Sequence, residues 1–158
     1  MKINVVFAAA ALACAPLALA EGNAAYPKEN VAAFIVEKLD VTSLPSAIRP
    51  KNEKGKKTLA DYGYTVQMVE ENKAIVEASG GAKQLSFKVL DQRPSGIYVC
   101  VAEPDQSGGE AKTQSVILLK RKDSNALLRG RESFREFSSC PVIGGSDNDS
   151  TASSYGGD

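Results

Sequence analysis

The sequence predicts an α+β fold: an N-terminal helix packed on an antiparallel sheet of about five strands, with one disulfide and a disordered C-terminal tail. Three observations carry this expectation. Val31, Phe34, Ile35 and Leu39 recur at steps of three and four, the spacing that lines one face of a helix. From Tyr62 to Leu119 apolar residues instead recur at alternate positions, in short runs broken by turn-forming residues. Cys100 and Cys140 form an even pair, the simplest reading of which is a bridge across the sheet.

The chain opens with the pattern of a secretory leader. Met1-Lys2 gives a positive start, and Ile3 to Ala13 is apolar or small apart from Asn4. Pro16 breaks the run, and Ala18-Leu19-Ala20 has the small-x-small form that a signal peptidase reads. The apolar stretch falls short of the ~20 residues that span a bilayer. Residues 1–20 are therefore read as a signal peptide, residues 21–143 as one globular domain, and residues 144–158 as a polar tail. The expected location is periplasmic or secreted. A rival reading makes Cys14 the lipidated N-terminus of a lipoprotein, but Ala11 stands where such a box usually carries leucine.

Within the domain, Pro27 suits the first turn of the helix, where a missing N–H does no harm. Thr42-Ser43 can cap a second short helix that runs to Ile48 and stops before Pro50. Tyr64, Val66 and Met68 then alternate with Thr65 and Gln67. Glu70 to Lys73 is a turn, Ala74 to Ala78 a short strand, and Ser79-Gly80-Gly81 another turn. Leu85, Phe87 and Val89 alternate with Ser86 and Lys88, the clearest strand in the chain. After the turn Arg93 to Gly96, Ile97, Val99 and Val101 face one way, and Tyr98 and Cys100 the other. Ser115 to Leu119 reads as a central strand, and the sequence of strands suggests a meander. Residues 124–139 fit either a helix capped by Asp123 or Ser124 or a further strand ending at Cys140.

Composition narrows the chemistry. The chain has 19 basic and 19 acidic residues, so no global attraction to nucleic acid is expected. It contains no histidine, which excludes serine–histidine and cysteine–histidine catalysis. Two cysteines without histidine are too few for a zinc site. Asp147-Asn148-Asp149 offers oxygen donors but lacks the glutamate and glycine of a helix–loop–helix calcium site. No metal or cofactor is expected.

Two basic clusters stand out. Arg49, Lys51, Lys54, Lys56 and Lys57 surround a single acid, Glu53, in a candidate anion-binding loop. Lys120, Arg121, Lys122, Arg129, Arg131 and Arg135 form the second, with Glu132 and Glu136 close enough in sequence to pair with some of them. Tyr62 and Tyr64 flank Gly63 beside the first loop and could stack on a ligand or staple the loop to the sheet. Glu70, Glu71, Glu77, Asp91 and Glu103 are the carboxylates open to histidine-free catalysis. No motif assembles them, so the expected function is an exported, non-catalytic binding or interaction module. An inhibitor or accessory subunit of another exported protein is the alternative, and a carboxylate hydrolase the third reading. The expected partners are an envelope component or another exported protein.

Overall fold

A computed structural model describes residues 26–81, 83–104 and 112–140. The proposed leader, Cys14 and the polar tail lie outside these residues. Helix α1 spans Val31–Lys38, and strand β1 follows at once at Leu39–Asp40. A 3-10 turn covers Val41–Ser43. Strands β2 (Tyr64–Val69), β3 (Lys73–Ala78), β4 (Gln84–Arg93), β5 (Gly96–Glu103), β6 (Thr113–Lys120) and β7 (Leu128–Glu132) complete the order.

All seven strands join one sheet in the order β1-β7-β6-β5-β4-β3-β2. Each consecutive pair from β2 to β7 is antiparallel. Strand β1 lies parallel to β7, with Leu39 opposite Leu128 and Asp40 opposite Arg129. The expected architecture is therefore corrected. Among the described residues the protein is mostly sheet, a seven-stranded mixed half-barrel with one short helix, and not an N-terminal helix on a five-stranded antiparallel sheet. The helix is shorter than its apolar spacing suggested. Asn30 is left-handed (φ 53°), which asparagine tolerates, so the helix begins only after it. At Leu39 the backbone turns extended, and this residue starts a strand. A two-residue strand is too short to leave a periodic signal.

Burial shows how alternation builds the core. Ala74, Val76, Leu85, Phe87, Ile97, Val99, Val101, Ile117, Leu119 and Leu128 are buried in one cluster with Val31, Ala32 and Ile35 of α1. Leu44, Ile48 and Leu59 from the connection between β1 and β2 complete it. The opposite face holds a smaller cluster of Cys100, Val116 and Cys140, with Leu90, Tyr98 and Phe137 against it. The Cys100–Cys140 disulfide forms, with Cα atoms 5.7 Å apart.

Three local features depart from simple patterning. First, β2 carries a bulge between Val66 and Met68. Val66 pairs with Val76 and Val69 with Ala74, both core residues, whereas Met68 pairs with Ile75. Met68 thus lies on the other face from Val66, against the alternation expected of Tyr64, Val66 and Met68. Second, in place of a helix from Thr42 to Ile48 there is one 3-10 turn, Val41–Ser43, capped by Asp40, whose carboxylate accepts from the Thr42 N–H at 3.1 Å and from the Thr42 hydroxyl. The Pro45 carbonyl then closes a turn to Ile48 and Arg49. Third, residues 124–139 hold strand β7 and an irregular segment to Cys140, not a helix. Gly130 fits β7 closely to the core. A Cβ there would stand 3.0 Å from Ile117 and 3.1 Å from Leu44, so its absence lets β7 approach the core. Its N–H donates to the Ser43 hydroxyl at 2.7 Å, which ties β7 to the 3-10 turn. At the β4–β5 turn, Gly96 (φ +153°) sits where a Cβ would lie 2.7 Å from the Leu119 carbonyl oxygen, a place no other residue fills without backbone movement.

Candidate functional site

The bulge in β2 creates the main candidate site. By setting Val66 and Val69 on the same face, it points both toward α1 at the open edge of the sheet. Between the helix and this edge lies an open cleft of about 340 Å³. Ala33 and Val36 line the helix side, Val66, Val69 and Val76 the sheet side, and Leu59 and Ala60 the loop side. Its polar groups are Glu37 and Tyr64. Burial and the nearby Glu103 charge hold the Tyr64 hydroxyl protonated beyond the ordinary tyrosine range. Val76 is fully buried at the base, yet Val66 is 53% and Val69 43% exposed. The cleft is apolar in its walls, polar at a few points, and unfilled by the chain's own described side chains.

The basic loop leads along the chain into the cleft wall, Leu59 and Ala60 following Lys57, but its cations do not line the cleft. The loop is internally built. Tyr62 Oη accepts from the Glu53 N–H at 3.1 Å, and Lys56 Nζ stands 5.5 Å from the Tyr62 ring centre. Tyr62 therefore staples the loop, as one of the two sequence readings held. Lys56 pairs with Glu53 at 2.7 Å, and that contact holds its ammonium charged beyond the usual lysine range. Asp61 accepts from the N–H groups of Thr58 (2.8 Å) and Lys57 (2.9 Å), which hold its carboxyl below the ordinary range. Arg49, Lys51, Lys54 and Lys57 are exposed and form no ion pair among the described residues. Of the five cations read as an anion-binding loop, one is spent on structure and four face water.

The second basic cluster divides. Arg121 stacks over Tyr26 (5.4 Å) and Phe34 (5.0 Å) and donates to the Ser124 carbonyl at 2.9 Å, so it braces the entry to α1. Arg135 lies over Tyr98 (5.3 Å) and Phe137 (5.2 Å) and within 3.7 Å of Asp91. The expected pairing of Glu132 and Glu136 with these cations does not form among the described residues, because the segment is strand and irregular chain rather than helix. Lys120, Arg129 and Arg131 remain together on the outer face of β6 and β7.

The candidate carboxylates do not converge. Asp91 is held by Arg93 at 2.7 Å, and that hydrogen bond, with the Arg135 charge behind it, keeps its carboxyl below the ordinary value of 3.8. Its contribution to stability is thus complete above pH 3.8 and is lost as pH falls through the lower folded value. Glu103 pairs with Lys83 at 3.1 Å. Glu70 and Glu71 are exposed at the β2–β3 turn. Among the described residues no group of three or more cysteines and carboxylates is placed to hold a metal ion.

Sequence reasoning missed the cleft. Its only trace is the three-residue step from Val66 to Val69, which is out of phase with a strand and marks the bulge. Comparison with protein-family models, with curated proteins and with solved structures finds no match to this chain.

Proposed function

We propose that this chain is an exported, non-catalytic binding module that takes the apolar part of an amphiphilic ligand in the α1–β2 cleft. The exposure of Val66 and Val69 over a buried apolar base carries the reading. Covering the exposed half of each valine removes apolar surface worth on the order of 0.7 kcal/mol or more. The neighbouring loop cations favour a ligand with an anionic head, as an amphiphile of the cell envelope would have. Export is supported by the leader-like residues 1–20 and by the Cys100–Cys140 bridge, which persists in oxidising compartments. Among the described residues no helix is long and apolar enough to cross a membrane. A binding role rather than catalysis is supported by the dispersal of the carboxylates into ion pairs and turns.

Isothermal titration with dodecanoate, and with dodecyl maltoside below its micelle concentration, tests the proposal. Saturable binding of dodecanoate is expected, weaker for the uncharged maltoside. Val66→Asp, an exposed position, should reduce both affinities at least about tenfold, since a carboxylate in an apolar cleft costs more than 1.4 kcal/mol. The paired change Lys54→Glu and Lys57→Glu should remove only the preference for the anion. Absence of saturable binding, or binding indifferent to Val66→Asp, contradicts the reading. The accessory-subunit alternative has no separate observation in its favour.

A further inference from the structure

The outer face of β6 and β7 carries an arrangement that neither the core nor the cleft uses. Lys120 and Arg129 stand directly opposite each other across the antiparallel pair. Arg131 lies two residues beyond Arg129, opposite Leu118, so alternation sets its side chain on the same face. These three cations line an open depression of about 400 Å³ together with Leu118 and Gly130. Like charges placed directly opposite on a sheet destabilise it. A fold normally offsets such a pair with an ion-paired carboxylate, and among the described residues none forms an ion pair with them. Glu132 pairs in register with the core residue Ile117, so it projects to the opposite face. Asp40, beside Arg129 across β1, has its carboxylate engaged by the Thr42 N–H and hydroxyl. Asp123 is turned to the N–H groups of Asn125 and Ala126. Among the described residues Lys120, Arg129 and Arg131 form no ion pair.

We infer that this depression is a binding site for a phosphate group, distinct from the amphiphile cleft. The two sites lie toward opposite edges of the sheet, with β2 at one edge and β7 next to the other. Two guanidinium forks beside one ammonium suit the several oxygens of a phosphate better than a single carboxylate, because arginine binds such oxyanions in pairs of parallel hydrogen bonds. The strand backbone holds the three residues in fixed register on one face. The phosphate can belong to a free ion or small ester, or to a lipid headgroup.

The two sources are separated by two probes on the full mature chain at low salt. One is inorganic pyrophosphate, followed by titration calorimetry. The other is vesicles of phosphatidylglycerol in phosphatidylcholine, followed by co-sedimentation. Saturable binding to either probe is expected, falling steeply as salt rises. Binding of pyrophosphate identifies a small phosphate ligand, and binding of the vesicles alone a headgroup. Arg129→Glu combined with Arg131→Glu should weaken the bound probe at least about tenfold. The single change Lys120→Glu should weaken binding too, and should raise the melting temperature by about a degree or more, because it converts the repulsion from Arg129 opposite to an attraction. That gain shows that loss of binding is not loss of fold. The inference is overturned if neither probe binds, if binding survives the double change, or if Lys54→Glu with Lys57→Glu abolishes it instead.

Discussion

Replacing Cys100 and Cys140 together by alanine is expected to destabilise the protein by about 4 kcal/mol, the loop-closure value for a bridge across their separation of 40 residues. For a domain of this size that corresponds to a fall in melting temperature on the order of ten degrees. The local structure explains why little else compensates. The segment after β7 is irregular, and it returns to the sheet through a small cluster of Val116, Leu90, Tyr98 and Phe137 around the two sulfurs. Among the described residues its backbone tie to the sheet is Ser133 N–H donating to Val116 O at 2.8 Å, while Cys140 N–H donates within the segment to Phe137 O at 2.9 Å. The Tyr98–Phe137 contact (5.6 Å between ring centres) and the Arg135 stack are partly open to water and contribute less than a covalent link. Thermal unfolding followed by circular dichroism checks this, with the reduced wild type expected to match the double alanine variant. A fall of only a degree or two would show that the outer cluster holds the segment unaided.

Phe87→Ala is expected to cost about 3–5 kcal/mol. Phe87 is fully buried at the middle of β4, flanked in register by Ala74 on β3 and Val101 on β5. With an alanine beside it, no neighbour on β3 is large enough to collapse into the space. Denaturant unfolding should show a lower midpoint with an unchanged slope. Phe134 is the control: it is 97% exposed, and Phe134→Ala should leave the midpoint within error. Equal effects at the two positions would contradict the assignment of faces.

The patterning of individual strands was open to sequence reading where side chains alternate cleanly. Leu85, Phe87 and Val89 mark β4 because one face of that strand is buried and the other is not. What escaped reading is what depends on single residues and distant partners. Nothing local in Leu39–Asp40 announces a parallel pairing with Leu128–Arg129, remote in sequence, and that pairing changes the sheet from antiparallel to mixed. Gly130 does not announce a strand in the sequence, because its role is to admit Leu44 and Ile117. Of the sites, the basic loop was visible as charge, but its Glu53–Lys56–Tyr62 bracing was not. The cleft was hidden because a bulge, and not composition, aligns Val66 with Val69. The cationic face of β6 and β7 was seen as a cluster, yet helical spacing assigned it a neutralising glutamate that the strand sends elsewhere.

Intact-mass spectrometry of the chain recovered from the extracytoplasmic fraction tests maturation outside the cytoplasm most directly. The mass should correspond to an N-terminus at Glu21 and lie two hydrogens below the reduced form, as the Cys100–Cys140 bond requires. A chain that remains in the cytoplasm with Met1-Lys2 attached and both thiols free would contradict it.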